Sequence, residues 1–545
     1  MRIVCKDLHS WQQVKRNGID VRFSANPESI LFQELKHGDI ALSIERVKFL
    51  TLAERSNHAV IASDGDRIFA ACDCVRSTPI FYMEATDGLQ VSNSFVALWQ
   101  SLEAPRFDNE AVEVFKHTGF TIGEGTICKK IKQIRAGEYV IWNSGDAQET
   151  TFGTYHELKY IETDDEAAKS ELGLREELDQ ILITLVQELI SAAGGRQIVL
   201  PLSGGRDSRL LLLLLCRQGY NNLATFTYGR KGNAESEISR RVAKSLGISW
   251  KFVEYDRELI RRHWYDSRRI RFEREAFNGC SLPIYQDYFA VSELKQSGYI
   301  HKDAFIVPGH TADFNAGGHL PNFIFQRDSV SFSDVQKEIA RKHFHMFHHA
   351  QTSVVRRSLK HLNIQRGCSP VNAALELDKF NLAERQAKLI VNSCRAYNAL
   401  EIDWRLPFWD IRFVNFWNTI DLKLRRDKVF YNGFVDHMSE VMGLTVPVYS
   451  RRIFASSWLR KAIRRIVDYL PLGDFQARRR IHLYRNAMID PHWLFSDEFV
   501  VKCAENGASL NGIFLQALLN DLPTVLTERN LNKPDEFEER GFSEW

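Results

Sequence analysis

Six residues, Ser203-Gly204-Gly205-Arg206-Asp207-Ser208, carry the first chemical signal. They stand between an apolar run, Gln197 to Leu202, and a leucine run that begins at Leu210. The first run reads as a strand and the second as a helix. The turn therefore lies at a strand's carboxyl end and opens a helix, where ligands of open α/β sheets bind. A helix N-terminus presents unpaired N–H groups and the positive end of its dipole. Gly204 and Gly205 let the backbone approach an anion closely and form a concave nest of amides. Ser203 and Ser208 add hydroxyl donors. Asp207 is the unusual member, because a carboxylate repels phosphate unless a cation lies between them. Mg²⁺ meets that need, since it binds through few carboxylates plus phosphate oxygens. The turn reads as a pyrophosphate and magnesium site. The competing reading is a helix N-cap, for which Ser, Asp and Gly are all suited. Neither G-x-x-x-x-G-K-[ST] nor G-x-G-x-x-G is present, which excludes those two phosphate loops.

The elements that must position this turn follow from the pattern around it. "QIVLPL", "LATFTYG" and "WKFVEYD" read as strands, with helices between them, one being the amphipathic "ESEISRRVAKSLGI". That alternation predicts an α/β fold with a doubly wound parallel sheet. Beyond Asp256 the pattern is largely helical. The first part reads mostly as strands and turns: "AVIASDGDRIFAACD", "TPIFYMEATDGLQVSNS" and "GEYVIWNSGD", with a hairpin at Asp87-Gly88. An acidic stretch and a long helix ending at Gly194-Gly195 follow, so we place a domain boundary near Tyr160, dividing 1–160 from 161–545. With 545 residues, two or three domains are expected. A net charge of +2 gives no global signal for nucleic acid or membrane. The nine cysteines form no C-x-x-C pair, which argues against a zinc ribbon or a disulfide framework. The N-terminus lacks the apolar stretch of a signal peptide, and a cytoplasmic protein is expected.

The turn matches the S-G-G-x-D-S loop of adenosine nucleotide α-hydrolase-like enzymes. "VPGHTADFNAGGHL" resembles the G-[ED]-G-[AS]-D-E-x-x-G-G segment of asparagine synthetases through Gly309, Ala312, Asp313, Gly317 and Gly318. "IDWRLPFWDIRFVNFW" resembles that family's R-x-P-F-L-D segment through Arg405, Pro407, Phe408 and Asp410. The style is closest to the asparagine synthetase-related enzymes of surface-polysaccharide clusters, to lasso-peptide cyclases and to β-lactam synthetase. The first part resembles a class II glutaminase domain through Arg76, Pro79, Phe81 and Tyr82, which implies an Ntn-hydrolase-like sandwich. Those glutaminases need a cysteine right after the initiator Met, and Arg2 stands there. Cys5 is near, but its use would require trimming four residues. The domain is expected to be a degenerate glutaminase.

The resemblance implies an ATP-dependent, AMP-forming ligase that adenylates a carboxylate and transfers an amine or ammonia to it. It implies ATP held by Leu202, Ser203, Gly204, Gly205, Asp207, Ser208, Tyr228, Gly229 and Gly309. It implies Mg²⁺ held by Asp207 and Asp313. His310 replaces the usual Glu or Asp where the amine arrives, and histidine can take a proton near neutral pH. The family's catalytic lysine has no clear counterpart; Arg452, the adjacent Arg451, or Lys428 could supply the charge. The substrate could be a small-molecule or glycan carboxylate such as a sugar uronate. A peptide cyclase, asparagine synthesis, or a non-catalytic nucleotide-binding scaffold are the alternatives. The amine or ammonia could come from a partner protein. The oligomeric state stays open, with a homodimer as one option. "HFHMFHHA", His343 to Ala350, reads as a helix with no zinc spacing. The basic segment 451–480 could face acidic lipid head groups or be a solvated helix face.

Overall fold

The computed structural model describes residues 2–527 except 7, 26, 28, 39–40, 55–56, 87, 145–148, 160–169, 348–351, 360–366 and 449–472. The boundary near Tyr160, Arg451, Arg452, His348, His349 and most of the basic segment lie outside the described residues.

Among the described residues, ten strands precede residue 160: β1 Arg2–Ile3, β2 Gln12–Arg16, β3 Ile19–Ala25, β4 His58–Ser63, β5 Arg67–Cys72, β6 Phe81–Ala85, β7 Gly88–Ser92, β8 Lys132–Gln133, β9 Glu138–Asn143 and β10 Thr150–Thr154. They form two sheets, ordered β1-β7-β6-β8 and β10-β9-β5-β4-β3-β2. The expected hairpin joins β6 to β7, with Ala85 opposite Gly88; Asp87 itself is outside the described residues. The sheets face each other through Ile61, Ile68 and Ala70 on one side and Ile80, Leu89 and Val91 on the other. Alternation along each strand sends the remaining apolar residues outward, and there they need cover. Helices α1 Ile30–His37 and α2 Ile44–Ala53 cover Val21, Val60 and Phe69 of the larger sheet. Helices α3 Phe95–Ser101 and α4 Asn109–Thr118 cover Phe81 and Met83 of the smaller one. The sequence reading of strands and turns missed these four helices. The sandwich therefore has four layers, two helical and two of sheet.

The second part opens with α5, Glu171–Ala193, which ends at Gly194 in the left-handed conformation (φ 57°). Five strands form an all-parallel sheet, ordered β13-β12-β11-β14-β17: β11 Ile198–Pro201, β12 Leu223–Gly229, β13 Ser249–Glu254, β14 Phe305–Ile306 and β17 Asp403–Trp404. The antiparallel pair β15 Val330–Ser331 and β16 Gly367–Cys368 lies apart from it. Helices α6 Asp207–Arg217, α7 Ala234–Ser245, α8 Arg257–Trp264, α9 Ser267–Phe277 and α10 Gln286–Gln296 fill the connections. Ile198 and Leu200 point to one face, against α5 and Leu210–Leu215 of α6. Val199 points to the other, against α10. Burial on both faces explains the continuous apolar sequence of β11.

The two parts share a core. Phe95 and Phe115 pack with Phe277, Leu389 and Leu515. Lys388, buried, donates to the carbonyls of Thr121 (2.9 Å) and Gly123 (2.7 Å) and pairs with Glu384. The histidine-rich stretch departs from its predicted helix. The helix Phe332–His343 ends where the stretch begins, and the His343 ring packs tilted against Phe380 with centres 5.1 Å apart.

Candidate active site

Strand order fixes where the site lies. The chain runs outward from β11 through β12 to β13, then returns to β14 on the other side of β11. Crossovers to opposite sides open a crevice at the carboxyl end of β11. A cavity of about 800 Å³ occupies it. Leu202, Ser203, Gly205, Asp207 and Ser208 line it from the β11–α6 turn, and Tyr228 and Gly229 from the end of β12. Gly309, His310 and Asp313 line it from the segment after β14, with Lys428 opposite. Gly204 is in the turn but does not line the cavity.

The turn braces itself. The Ser203 amide donates to Ser208 Oγ (3.1 Å), and the Gly205 amide donates to Ser203 Oγ (3.1 Å). The two hydroxyls that sequence reasoning offered to a ligand thus also hold the loop's shape. Helix α6 has no side-chain cap: its N-cap residue is Arg206, and Asp207 is already in its first turn. This sets aside the N-cap reading and leaves the first-turn amides uncapped beside the cavity. Arg206 lines the cavity as well and pairs with Asp436 (2.8 Å).

The segment after β14 crosses directly over the start of α6. A Cβ on Gly309 would stand 2.7 Å from the Ser208 amide nitrogen and 3.0 Å from the Asp207 carbonyl carbon. Gly318 makes room for the Asp313 carboxylate, which a Cβ there would meet at 2.6 Å. Thr311 occupies the position of the third residue in the G-[ED]-G motif and holds φ at 76°. A β-branched residue in that region is strained. Its hydroxyl donates to the Phe408 carbonyl (2.9 Å), where Asn315 also donates (2.9 Å). This anchors the loop to the third motif, whose Arg405 lies outside the cavity over the Phe305 ring. Asp410 caps the helix Ile411–Asn418 and binds Arg412. That motif's polar side chains are structural.

The two carboxylates are neighbours. Burial, then the charge of Asp313, pushes the Asp207 carboxyl up to about 6, despite hydrogen bonds from the Tyr431 hydroxyl and the Asp313 amide. The Tyr431 hydroxyl donates to Asp207 Oδ1 at 2.9 Å. Lys428 forms an ion pair with Asp313. Asp427 and Lys428 both take left-handed backbone conformations, at φ 50° and 58°. Two consecutive left-handed residues thus aim one ammonium at one carboxylate, a strain of the kind that clusters at functional sites. Of the candidates for the missing cation, Lys428 is in the cavity and Arg452 is outside the described residues. His310 Nε2 is buried without a hydrogen-bond partner, and burial holds the imidazole below its usual pKa of 6.5.

Sequence reasoning missed Tyr431, Thr311 and Asp287. Asp287 lines the cavity and accepts from the hydroxyls of Tyr228 and Tyr397. Tyr431 and Asp287 come from separate segments that no local motif marks, and Thr311, though inside the glycine-rich motif, is singled out only by its left-handed φ. In the N-terminal sandwich, burial pushes the Cys5 thiol up to about 11. The neighbouring Lys6 amide donates to Asn93 Oδ1 (2.9 Å).

The model for the asparagine synthase family matches residues 192–430. That span contains both cavity-forming motifs and Lys428. No curated protein sequence matches the chain. Solved structures with a likeness include the NH3-dependent NAD synthetase from Campylobacter jejuni, at 18% identity and TM-score 0.19 over 28% of this chain and 61% of that one. This chain thus spans about three fifths of that enzyme. The NAD+ synthetase from Burkholderia pseudomallei matches at 14% identity and TM-score 0.19, over 48% of this chain and 88% of that one. The glutamine phosphoribosylpyrophosphate amidotransferase from B. subtilis matches at 10% identity and TM-score 0.16, over 45% of this chain and 72% of that one.

Proposed function

We propose, from a chain whose residues 192–430 match the asparagine synthase family model, that the protein is an ATP-dependent ligase that makes an amide through an acyl-adenylate. The observation that carries this reading is the meeting of the Ser203–Ser208 turn, the Gly309–Asp313 loop and Lys428 in one cavity at the strand-order reversal. The substrate carboxylate oxygen attacks the α-phosphorus of ATP and pyrophosphate leaves. An amine then attacks the acyl carbon and AMP leaves. The uncapped amides of α6 receive pyrophosphate oxygens, and Gly309 keeps the second loop close enough to share them. Leu202, Tyr228 and Gly229 flank the nucleoside. Lys428 is set to offset charge on the transferring phosphate.

Asp207 and Asp313 fit a divalent cation. They come from separate motifs, lie close enough for one to raise the other's pKa, and border a phosphate cradle. They would hold Mg²⁺, which neutralises phosphate charge when bound. His310, which lines the cavity and whose pKa burial lowers, takes the proton that the incoming amine must lose.

Cys5 is a poor nucleophile with its thiol protonated, and its nitrogen is a peptide amide and not a free base. This supports a glutaminase-like sandwich, residues 1–160, without glutaminase chemistry beside a synthetase domain, 161–545. A glycan or small-molecule carboxylate is the acid we favour, with amine or ammonia from solution, substrate or a partner. The test is ATP–pyrophosphate exchange against a panel of carboxylates, sugar uronates included. Exchange with one acid is expected. His310→Ala should retain that exchange and lose amide formation. Equal loss of both would sink the base assignment, and no exchange with any acid would sink the ligase reading.

A further inference from the structure

Asp287 has an unusual position for a carboxylate. It lies in the first turn of α10 and lines the cavity together with His310. Its two oxygens accept from the hydroxyls of Tyr228 and Tyr397, which are neutral donors. Among the described residues no lysine, arginine or histidine pairs with it, whereas Asp313 in the same cavity has Lys428. The positive end of α10 offsets only a fraction of a unit charge. A half-buried carboxylate without a counter-ion is costly unless a cation comes to it. The tyrosines orient the carboxylate but leave its charge uncompensated. They are fixed in turn: Tyr228 stacks on Tyr255 with ring centres 5.1 Å apart.

We propose that Asp287 binds the incoming nucleophile as a protonated amine and holds it for His310. This rests on the acyl-transfer reading above. The ammonium group docks on Asp287. One N–H proton passes to the His310 imidazole, which lines the same cavity. The freed lone pair attacks the acyl carbon, the bond from that carbon to the AMP oxygen breaks with its electron pair leaving on AMP, and the excess proton still on the nitrogen passes to the departing AMP phosphate. The first proton stays on His310 until solvent removes it. Asp287 binds and never touches the acyl carbon. The ammonium can belong to an organic substrate or be the free ammonium ion; the chemistry of recognition is the same.

The experiment uses the full chain, the carboxylate that supports exchange, and three nucleophiles: ammonium chloride, n-propylammonium chloride and hydroxylamine, which is largely uncharged at neutral pH. Asp287→Asn keeps the shape and removes the charge. It should raise KM for the cationic amines by about tenfold or more, the scale of one charge-assisted contact. Pyrophosphate exchange and hydroxylamine trapping should change far less. A KM effect shared by propylammonium points to an organic amine, and one confined to ammonium points to the free ion. Unchanged KM values, or equal losses with hydroxylamine and in exchange, overturn the proposal, the latter by showing a merely structural role for Asp287. A wild-type chain without exchange on any acid instead sinks the ligase reading. Cation binding is then read without turnover. Propylammonium chloride should raise the wild-type melting midpoint over sodium chloride at equal ionic strength and leave Asp287→Asn unaffected; equal responses overturn the site.

Discussion

Gly309→Ala tests whether the two motifs truly share one wall. The φ of Gly309 lies outside the left-handed region, so alanine suffers no backbone strain there. The effect is steric alone. The added Cβ would meet the Ser208 amide nitrogen at 2.7 Å and the Asp207 carbonyl carbon at 3.0 Å. Ordinary contact needs about 3.5 Å. The loop and α6 must therefore part by roughly 0.8 Å. Both partners are backbone, and α6 is locked by its fully buried Leu210–Leu215, so no flexible side chain absorbs the move. Overpacking of this kind costs about 1–3 kcal/mol. The functional cost is larger in proportion, because Asp313 and His310 ride on the displaced loop. A misplacement near 1 Å costs about 10²-fold in rate. We expect exchange to fall by roughly 10- to 100-fold, while circular dichroism and the urea midpoint show a folded chain. An alanine variant with wild-type exchange and wild-type stability would refute the contact and, with it, the shared phosphate site.

Other consequences follow from single contacts. Lys388→Met should destabilise the protein by about 3–5 kcal/mol in urea unfolding, because Glu384 is left buried and unpaired. Lys388→Met with Glu384→Leu should recover most of that loss. Asp403 binds His9 (3.0 Å) and Arg196 (2.7 Å), which hold its carboxyl well below the usual carboxylate range. Its contribution is full above about pH 4 and is lost as pH falls toward its folded value. Asp403→Asn should thus lower the urea midpoint at neutral pH and flatten its decline in acid. His310 titrates below 6.5. The acid limb of amide formation should therefore lie below that pH, and a limb at or above it would argue against His310 as the base.

How much was legible depends on whether neighbours in space were neighbours in sequence. Strands β11, β12 and β13 with their helices, the Ser203–Ser208 turn and the Gly309–Asp313 loop could be read directly, because one hydrophobic period or one short motif encodes each. Helices α1 to α4 were missed, since their apolar faces are short and lie among strong strand signals. The basis of Lys428 as the site's cation is a left-handed kink, which no residue type announces. Asp207 as a cap or a cation ligand was undecidable from a turn that suits both. Packing removes the cap: α6 starts without a side-chain cap, and Asp313 arrives from another segment to set a second carboxylate beside Asp207. Asp287, Tyr228, Tyr397 and Tyr431 become one environment only when β12, α10 and two later helices converge. Residue types and short motifs name the groups and the local turns that display them. Their charges, partners and proton affinities were decided by tertiary structure, because burial and proximity set them and both are properties of the folded chain.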